Sequence, residues 1–201
     1  MNYLMHAYFS SVEPGCVAGV CIGDFVKGRI ENTHYAPEIK KGLQLHRDLD
    51  RFAQDSPIYL RSRERLDKKF RRMSGIILDI AYDHFLAKYW TRYSEQPLAD
   101  FAKNVYAILK KQKPLLPADF YYFLSTMTRE NWLYEYQDIK MIATVLSRMA
   151  YHLPFENNLA ESITEIERNY KRLAGDVADF ILTAKTCFPV NQATNELITI
   201  L

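Results

Sequence analysis

Residues 75–87 read Gly-Ile-Ile-Leu-Asp-Ile-Ala-Tyr-Asp-His-Phe-Leu-Ala. Ile76, Ile77, Ile80, Phe85 and Leu86 do not gather on one stripe at helical spacing. With the Tyr and Trp residues that follow up to Tyr93, they cover most faces, which is the pattern of a helix surrounded by protein. The flanking sequence offers only helices to surround it. Pro37 marks a first turn for a helix over 37–54, and Ser56-Pro57 pairs a cap with a first-turn proline for another reaching about residue 70. Ser74 is placed to cap the central helix. Further helices are predicted at 97–111, 117–127 and 138–153, with a long amphipathic one over 156–188. No segment alternates polar and apolar residues in the manner of a strand. The expected fold is all-α, a single compact helical domain over residues 1–190. The polar tail, residues 191–201, lacks a partner face and is expected to be loosely held.

The rest of the chain agrees with a packed core. Its 201 residues are 48% hydrophobic and include 14 Tyr and 11 Phe, a composition that excludes disorder. Lys and Arg number 26 against 24 Asp and Glu, too even a balance for a binder of nucleic acid. The exception is residues 61–72, where seven bases (Arg61, Arg63, Arg65, Lys68, Lys69, Arg71, Arg72) face two acids, so this segment is a candidate for meeting an acidic partner. Cys16, Cys21 and Cys187 form no Cys-x-x-Cys pair, which argues against a disulfide framework or thiolate zinc and fits a reducing cytoplasm. The apolar run 16–22 is too short to span a bilayer, and no signal peptide or membrane partner is expected.

Several His and Asp residues sit where they demand an explanation. His46 and Asp50 are four apart on the helix predicted over 37–54, so their side chains leave one face and are able to meet one cation; an ordinary solvated helix face gives the same spacing. Asp79 and Asp83 repeat the interval on the central helix, with His84 beside them. A carboxylate there must be paired, metal-bound or protonated. Arg47 and Arg72 are the candidate ion-pair partners. Asp24 stands in Gly23-Asp24-Phe25-Val26-Lys27-Gly28, a turn that holds a carboxylate close to a site or simply ends a helix. His6 follows Leu4 and Met5, surroundings in which a histidine is commonly a core residue. Together His6, Asp24, His46, Asp50, Asp79, Asp83 and His84 form a donor set without thiolates, suited to manganese, iron or zinc, with magnesium also open. No Gly-rich phosphate loop, Gly-x-Ser-x-Gly elbow or His-Glu-x-x-His helix competes with it.

Read in order, Asn2-Tyr3-Leu4-Met5-His6, Gly23 to Gly28, Leu45-His46-Arg47-Asp48-Leu49-Asp50 and Asp83-His84-Phe85-Leu86-Ala87 resemble the motifs of the acyl carrier protein phosphodiesterases. Arg71-Arg72, Trp90, Asn131-Trp132-Leu133 and Arg148-Met149-Ala150 extend the resemblance over about residues 1–180. It departs at Met5, where a small residue is usual, and in the tail. The resemblance implies a helical fold remotely related to the HD phosphohydrolases and a divalent metal, commonly manganese. It also implies hydrolysis of holo acyl carrier protein to apo protein and 4'-phosphopantetheine, with ligand roles at the seven residues above. Asp83-His84 reverses the order of the usual HD pair. On this reading Asp24, Asp83 and His84 take part in catalysis, and Lys27 or an unligated histidine protonates the leaving serine oxygen. Arg61, Arg65, Lys68 and Arg72 would dock the acidic carrier. Two other readings stay open: an HD-type phosphohydrolase of a nucleotide or small phosphate ester, and a non-enzymatic helical module whose His and Asp residues only form ion pairs.

Overall fold

A computed structural model describes residues 2–10 and 13–190; the tail expected over 191–201 lies outside the described residues. Those residues are helical throughout, with no strand among them. In chain order the α-helices are α1 (Tyr3–Phe9), α2 (Pro14–Cys21), α3 (Pro37–Asp55), α4 (Pro57–Glu64), α5 (Ser74–Lys88), α6 (Leu98–Lys111), α7 (Ala118–Arg129), α8 (Trp132–Glu135), α9 (Ile139–His152), α10 (Ile163–Arg168) and α11 (Tyr170–Cys187). Short 3₁₀ turns join several of them. None of these helices is long and apolar enough to cross a membrane.

The central helix behaves as its sequence requires. Eleven of the fifteen residues of α5 are buried, and α1, α4, α9 and α11 pack around it. Tyr82 and Phe85 pack edge-on against Phe180 and Tyr170 of α11. Burial on every side explains why α5 lacks the apolar stripe that marks α3, α6 and α9 as outer helices.

Four boundaries differ from expectation, the first being the end of the central helix, expected near Tyr93 and found at Lys88 ahead of a 3₁₀ turn (Trp90–Arg92). The helix predicted to reach residue 70 stops at Glu64, because Asp67 starts a 3₁₀ turn (Lys68–Met73) by accepting the backbone N–H of Lys69. Ser74 does not cap α5; it is that helix's first residue, and its hydroxyl donates to the Arg71 carbonyl while accepting from Arg63. The long helix expected over 156–188 is three pieces: a 3₁₀ turn (Leu159–Ser162), α10 and α11. Asn169 stands at the second break, where its amide donates to the carbonyls of Arg65 and Glu165. Asn is a residue whose side chain competes with helix hydrogen bonding in this way.

The contact that most directly shapes the site is α2 on α3. Gly19 and Gly42 lie face to face, and a Cβ on either would collide with the other helix's backbone. Only glycine at both positions lets the helices approach this closely. The approach carries the turn after α2, with Gly23 and Asp24, onto the face of α3 that bears His46.

Candidate functional site

Four of the seven candidate ligands meet at one place. His46 and Asp50, one turn apart on α3, turn the same way, and His46 Nε2 lies 3.2 Å from Asp50 Oδ2. Asp24, from the 3₁₀ turn after α2 (Gly23–Phe25), brings Oδ1 to 3.6 Å from the same nitrogen. His6 of α1 stacks its ring on that of His46, centroids 3.9 Å apart and planes 14° from parallel. His6 Nε2 lies 3.2 Å from Asp50 Oδ1. Ligand atoms of His6, His46 and Asp50 all fall within 4.8 Å of one another.

Local structure fixes each ring. His46 Nδ1 is 2.8 Å from the Val20 carbonyl, an acceptor, so Nδ1 carries a hydrogen and Nε2 faces the carboxylates. Gly23 lets the turn lie against this ring, since a Cβ there would overlap His46. His6 is buried; its Nε2 faces the Asp50 carboxylate, and its Nδ1 has no hydrogen-bond partner among the described residues. A buried imidazole in that condition forfeits roughly 1–3 kcal/mol per unsatisfied group unless something else binds it.

The charges divide unequally. Burial lowers the pKa of His6 to about 4, against the pull of Asp50, so its ring is neutral. Burial acts the same way on His46, but hydrogen bonding to Asp24 and Asp50 outweighs it and raises the pKa to about 9. Asp24 is held below the usual carboxylate range by its hydrogen bond with His46. Asp50 is lowered as well: burial would raise it, but both histidines override that cost. A proton on His46 therefore occupies the space between two carboxylates, where a divalent cation would compete for the same oxygens and the same nitrogen.

The other three candidates make contacts of their own, and Asp79 shares the wall of a cavity with Asp24 and feels the charge of Asp50. Asp83 is fully buried, and its carboxylate accepts the backbone N–H groups of Leu4 (2.7 Å) and Met5 (2.9 Å), capping α1 where Asn2 makes no side-chain cap. Burial pushes its pKa up to about 7, against those two bonds. His84 uses both nitrogens: Nδ1 donates to the Tyr136 carbonyl at 2.7 Å, and Nε2 accepts from the Tyr170 hydroxyl at 2.8 Å. Asp79 accepts from the Tyr59 hydroxyl at 2.8 Å and is pushed up by burial. Arg47, a candidate partner for these acids, instead donates to the carbonyls of Val26 and Gly28, and the Arg72 guanidinium sits over the Phe155 ring.

The basic segment is also partly consumed. Arg65 grips buried Asp176 with two nitrogens, at 2.6 and 3.0 Å, and Arg61 pairs with Asp176 and Asp179. Of the four expected docking residues, these two hold α4 to α11, while Lys68 is exposed. An ion pair tied to a buried carboxylate serves folding before recognition.

A cavity of about 640 Å³ opens beside the cluster, with Asp24 and Asp79 on its wall. Its other walls are mostly aromatic and aliphatic, among them Tyr3, Phe25, Phe123 and Trp132, with Arg148 as a basic member. Sequence reasoning passed over this cavity and over the roles of Tyr59 and Val20. The Asn131-Trp132-Leu133 and Arg148-Met149-Ala150 matches were the signals that touched it.

An all-helical chain that gathers two imidazoles and two carboxylates beside a deep, largely apolar cavity has the makings of a phosphohydrolase-type site. Comparison with known proteins narrows the class. The pattern of the family described as "Acyl carrier protein phosphodiesterase" matches residues 1–183. Relatives of that name from Yersinia enterocolitica and Yersinia pestis are each 32% identical over 174 residues, and one from Salmonella agona is 31% identical; each alignment covers 86% of this chain and 90% of the relative. No solved structure matches the chain. The chain belongs to the acyl carrier protein phosphodiesterase family, and so to the hydrolases.

Proposed function

We propose that this protein hydrolyses the phosphodiester of holo acyl carrier protein, releasing 4'-phosphopantetheine and leaving the carrier's serine free, with a divalent cation, manganese first, at His6, Asp24, His46 and Asp50. The observation that carries the reading is the cluster itself: donor atoms of His6, His46 and Asp50 lie within 4.8 Å of one another, Asp24 stands 3.6 Å from His46 Nε2, and His6 Nδ1 is buried without a hydrogen-bond partner among the described residues. Such a cation supplies positive charge against phosphoryl oxygens and lowers the pKa of water. The protein's own groups do the rest. The Val20 carbonyl holds His46 with Nε2 inward, the orienting contact that metal-ligating histidines normally have. Asp83 fixes the start of α1 and hence the place of His6 one turn in. Tyr3, Phe25 and Trp132 wall a cavity next to Asp24 that accepts the arm. The leaving serine oxygen needs a proton, and Lys27, exposed three residues beyond Asp24, is the donor in this reading; His84, engaged at both nitrogens, is not.

The test is to incubate purified protein and manganese with holo acyl carrier protein and weigh both products. Apo carrier plus free 4'-phosphopantetheine supports the reading. A carrier left with phosphoserine would mean that the other phosphate ester bond is cut, and an unchanged carrier would remove the assignment.

A further inference from the structure

Resting on that reading, we propose that the carrier protein docks on the basic rim formed by Lys27, Arg29 and Arg47, next to Asp24, and not on residues 61–72. The scissile phosphate is joined directly to the carrier's serine, so the carrier's surface must lie against the edge of the cluster from which the phosphate enters. That edge is Asp24, whose side chain is 66% exposed while those of His6 and His46 are 2% and 6% exposed.

The turn that holds Asp24 continues into exposed Lys27, Gly28 and Arg29. Arg47 follows His46 on α3, and its guanidinium donates to the carbonyls of Val26 (3.2 Å) and Gly28 (2.8 Å), fixing the turn without losing its charge. Among the described residues no carboxylate pairs with Lys27, Arg29 or Arg47. Residues 27–47 hold five bases (Lys27, Arg29, Lys40, Lys41, Arg47) against Glu31 and Glu38. Lys41 pairs with Glu13, whereas Lys40, like Arg47, donates to a backbone carbonyl and keeps its charge, so Lys27, Arg29, Lys40 and Arg47 stand against Glu31 and Glu38 in this stretch. In residues 61–72, by contrast, Arg61, Arg65 and Lys69 are paired with Asp176, Asp179 and Glu161. An acidic carrier fits a basic edge beside the cluster, where complementary charge raises encounter rate and affinity.

The test is Arg29→Glu, which leaves Lys27 and the cluster intact, against Lys68→Glu/Arg71→Glu, exposed bases of the other segment, as the control. Arg29→Glu is expected to raise KM for holo carrier protein about tenfold with kcat near wild type, and to flatten the fall of kcat/KM with salt. The control double variant should stay within about twofold, as expected if the carrier does not dock on residues 61–72. Unchanged KM in Arg29→Glu, or an equal rise in the control, overturns the proposal. If wild-type protein fails to cleave holo carrier, the functional reading falls, and the surface is judged by fluorescence anisotropy of labelled holo carrier. Weaker binding by Arg29→Glu alone then supports the rim, and equal binding by all variants overturns it.

Discussion

Asp83 and Asp24 are both carboxylates in motifs that pointed to the site, yet they do different work. Asp83 spends both oxygens on the N–H groups that open α1, and Asp24 keeps its own beside His46. Asp83→Asn, which imitates the protonated acid and keeps one carbonyl oxygen, is expected to retain metal and most turnover. Asp83→Ala leaves two buried donors unmet and should cost roughly 2–4 kcal/mol in chemical denaturation. A folded Asp83→Asn that binds no metal would return Asp83 to the ligand set. Asp24→Ala and His46→Ala, in contrast, should keep wild-type far-UV circular dichroism while turnover falls at least about a hundredfold. The sequence showed which acids needed partners, but a partner that is a backbone N–H or carbonyl, as for Asp83, His84 and His46, carries no side-chain signature to read. Spacing on one helix paired His46 with Asp50 correctly, because four residues along a helix is a geometric certainty; it equally paired Asp79 with Asp83, where the surroundings differ.

Each element that builds the cluster is held by one identifiable feature. α1 is held by Asp83, the Asp24 turn by Gly23 against His46, and α2 by the meeting of Gly19 with Gly42 on α3. Gly42→Ala is expected to destabilise by at least about 2–3 kcal/mol, because its Cβ meets backbone that cannot rotate away. Thermal melts of the metal-free protein measure this, and an unchanged midpoint would mean that α2 and α3 have room to part. Gly23→Ala is a finer probe: the added methyl displaces the His46 ring, so metal affinity should drop while the melt shifts little. The helices themselves were legible from proline starts and apolar spacing, and α3 matches its expected bounds within a residue. The missed breaks at Asp67 and Asn169 came from polar side chains that divert the backbone, which periodicity does not register.

At the scale of the molecule, α5 serves as an axle, with the cluster and its cavity on one side and the Arg65–Asp176 clasp of α4 and α11 on another. Its all-round apolar pattern made the fold readable, whereas the cavity draws walls from α1, α5, α7 and α9 and has no local pattern to read. On the proposed reading, metal uptake removes the His46 proton, which is present below about pH 9, while His6 is already neutral above about pH 4 and both carboxylates are ionised. Manganese affinity should therefore rise about tenfold per pH unit from roughly pH 5 to 9, with one proton released per ion bound. Calorimetry in buffers of different ionisation enthalpy counts that proton, and a pH-independent affinity would place the metal away from His46. The most direct test of the central claim follows holo-to-apo conversion of the carrier by intact mass, in wild-type protein before chelation, after it, and after manganese is restored, beside Asp50→Ala treated alike. Conversion should stop on chelation and resume with manganese in wild type alone. Conversion that survives chelation, or that Asp50→Ala carries out at the wild-type rate, would contradict that claim.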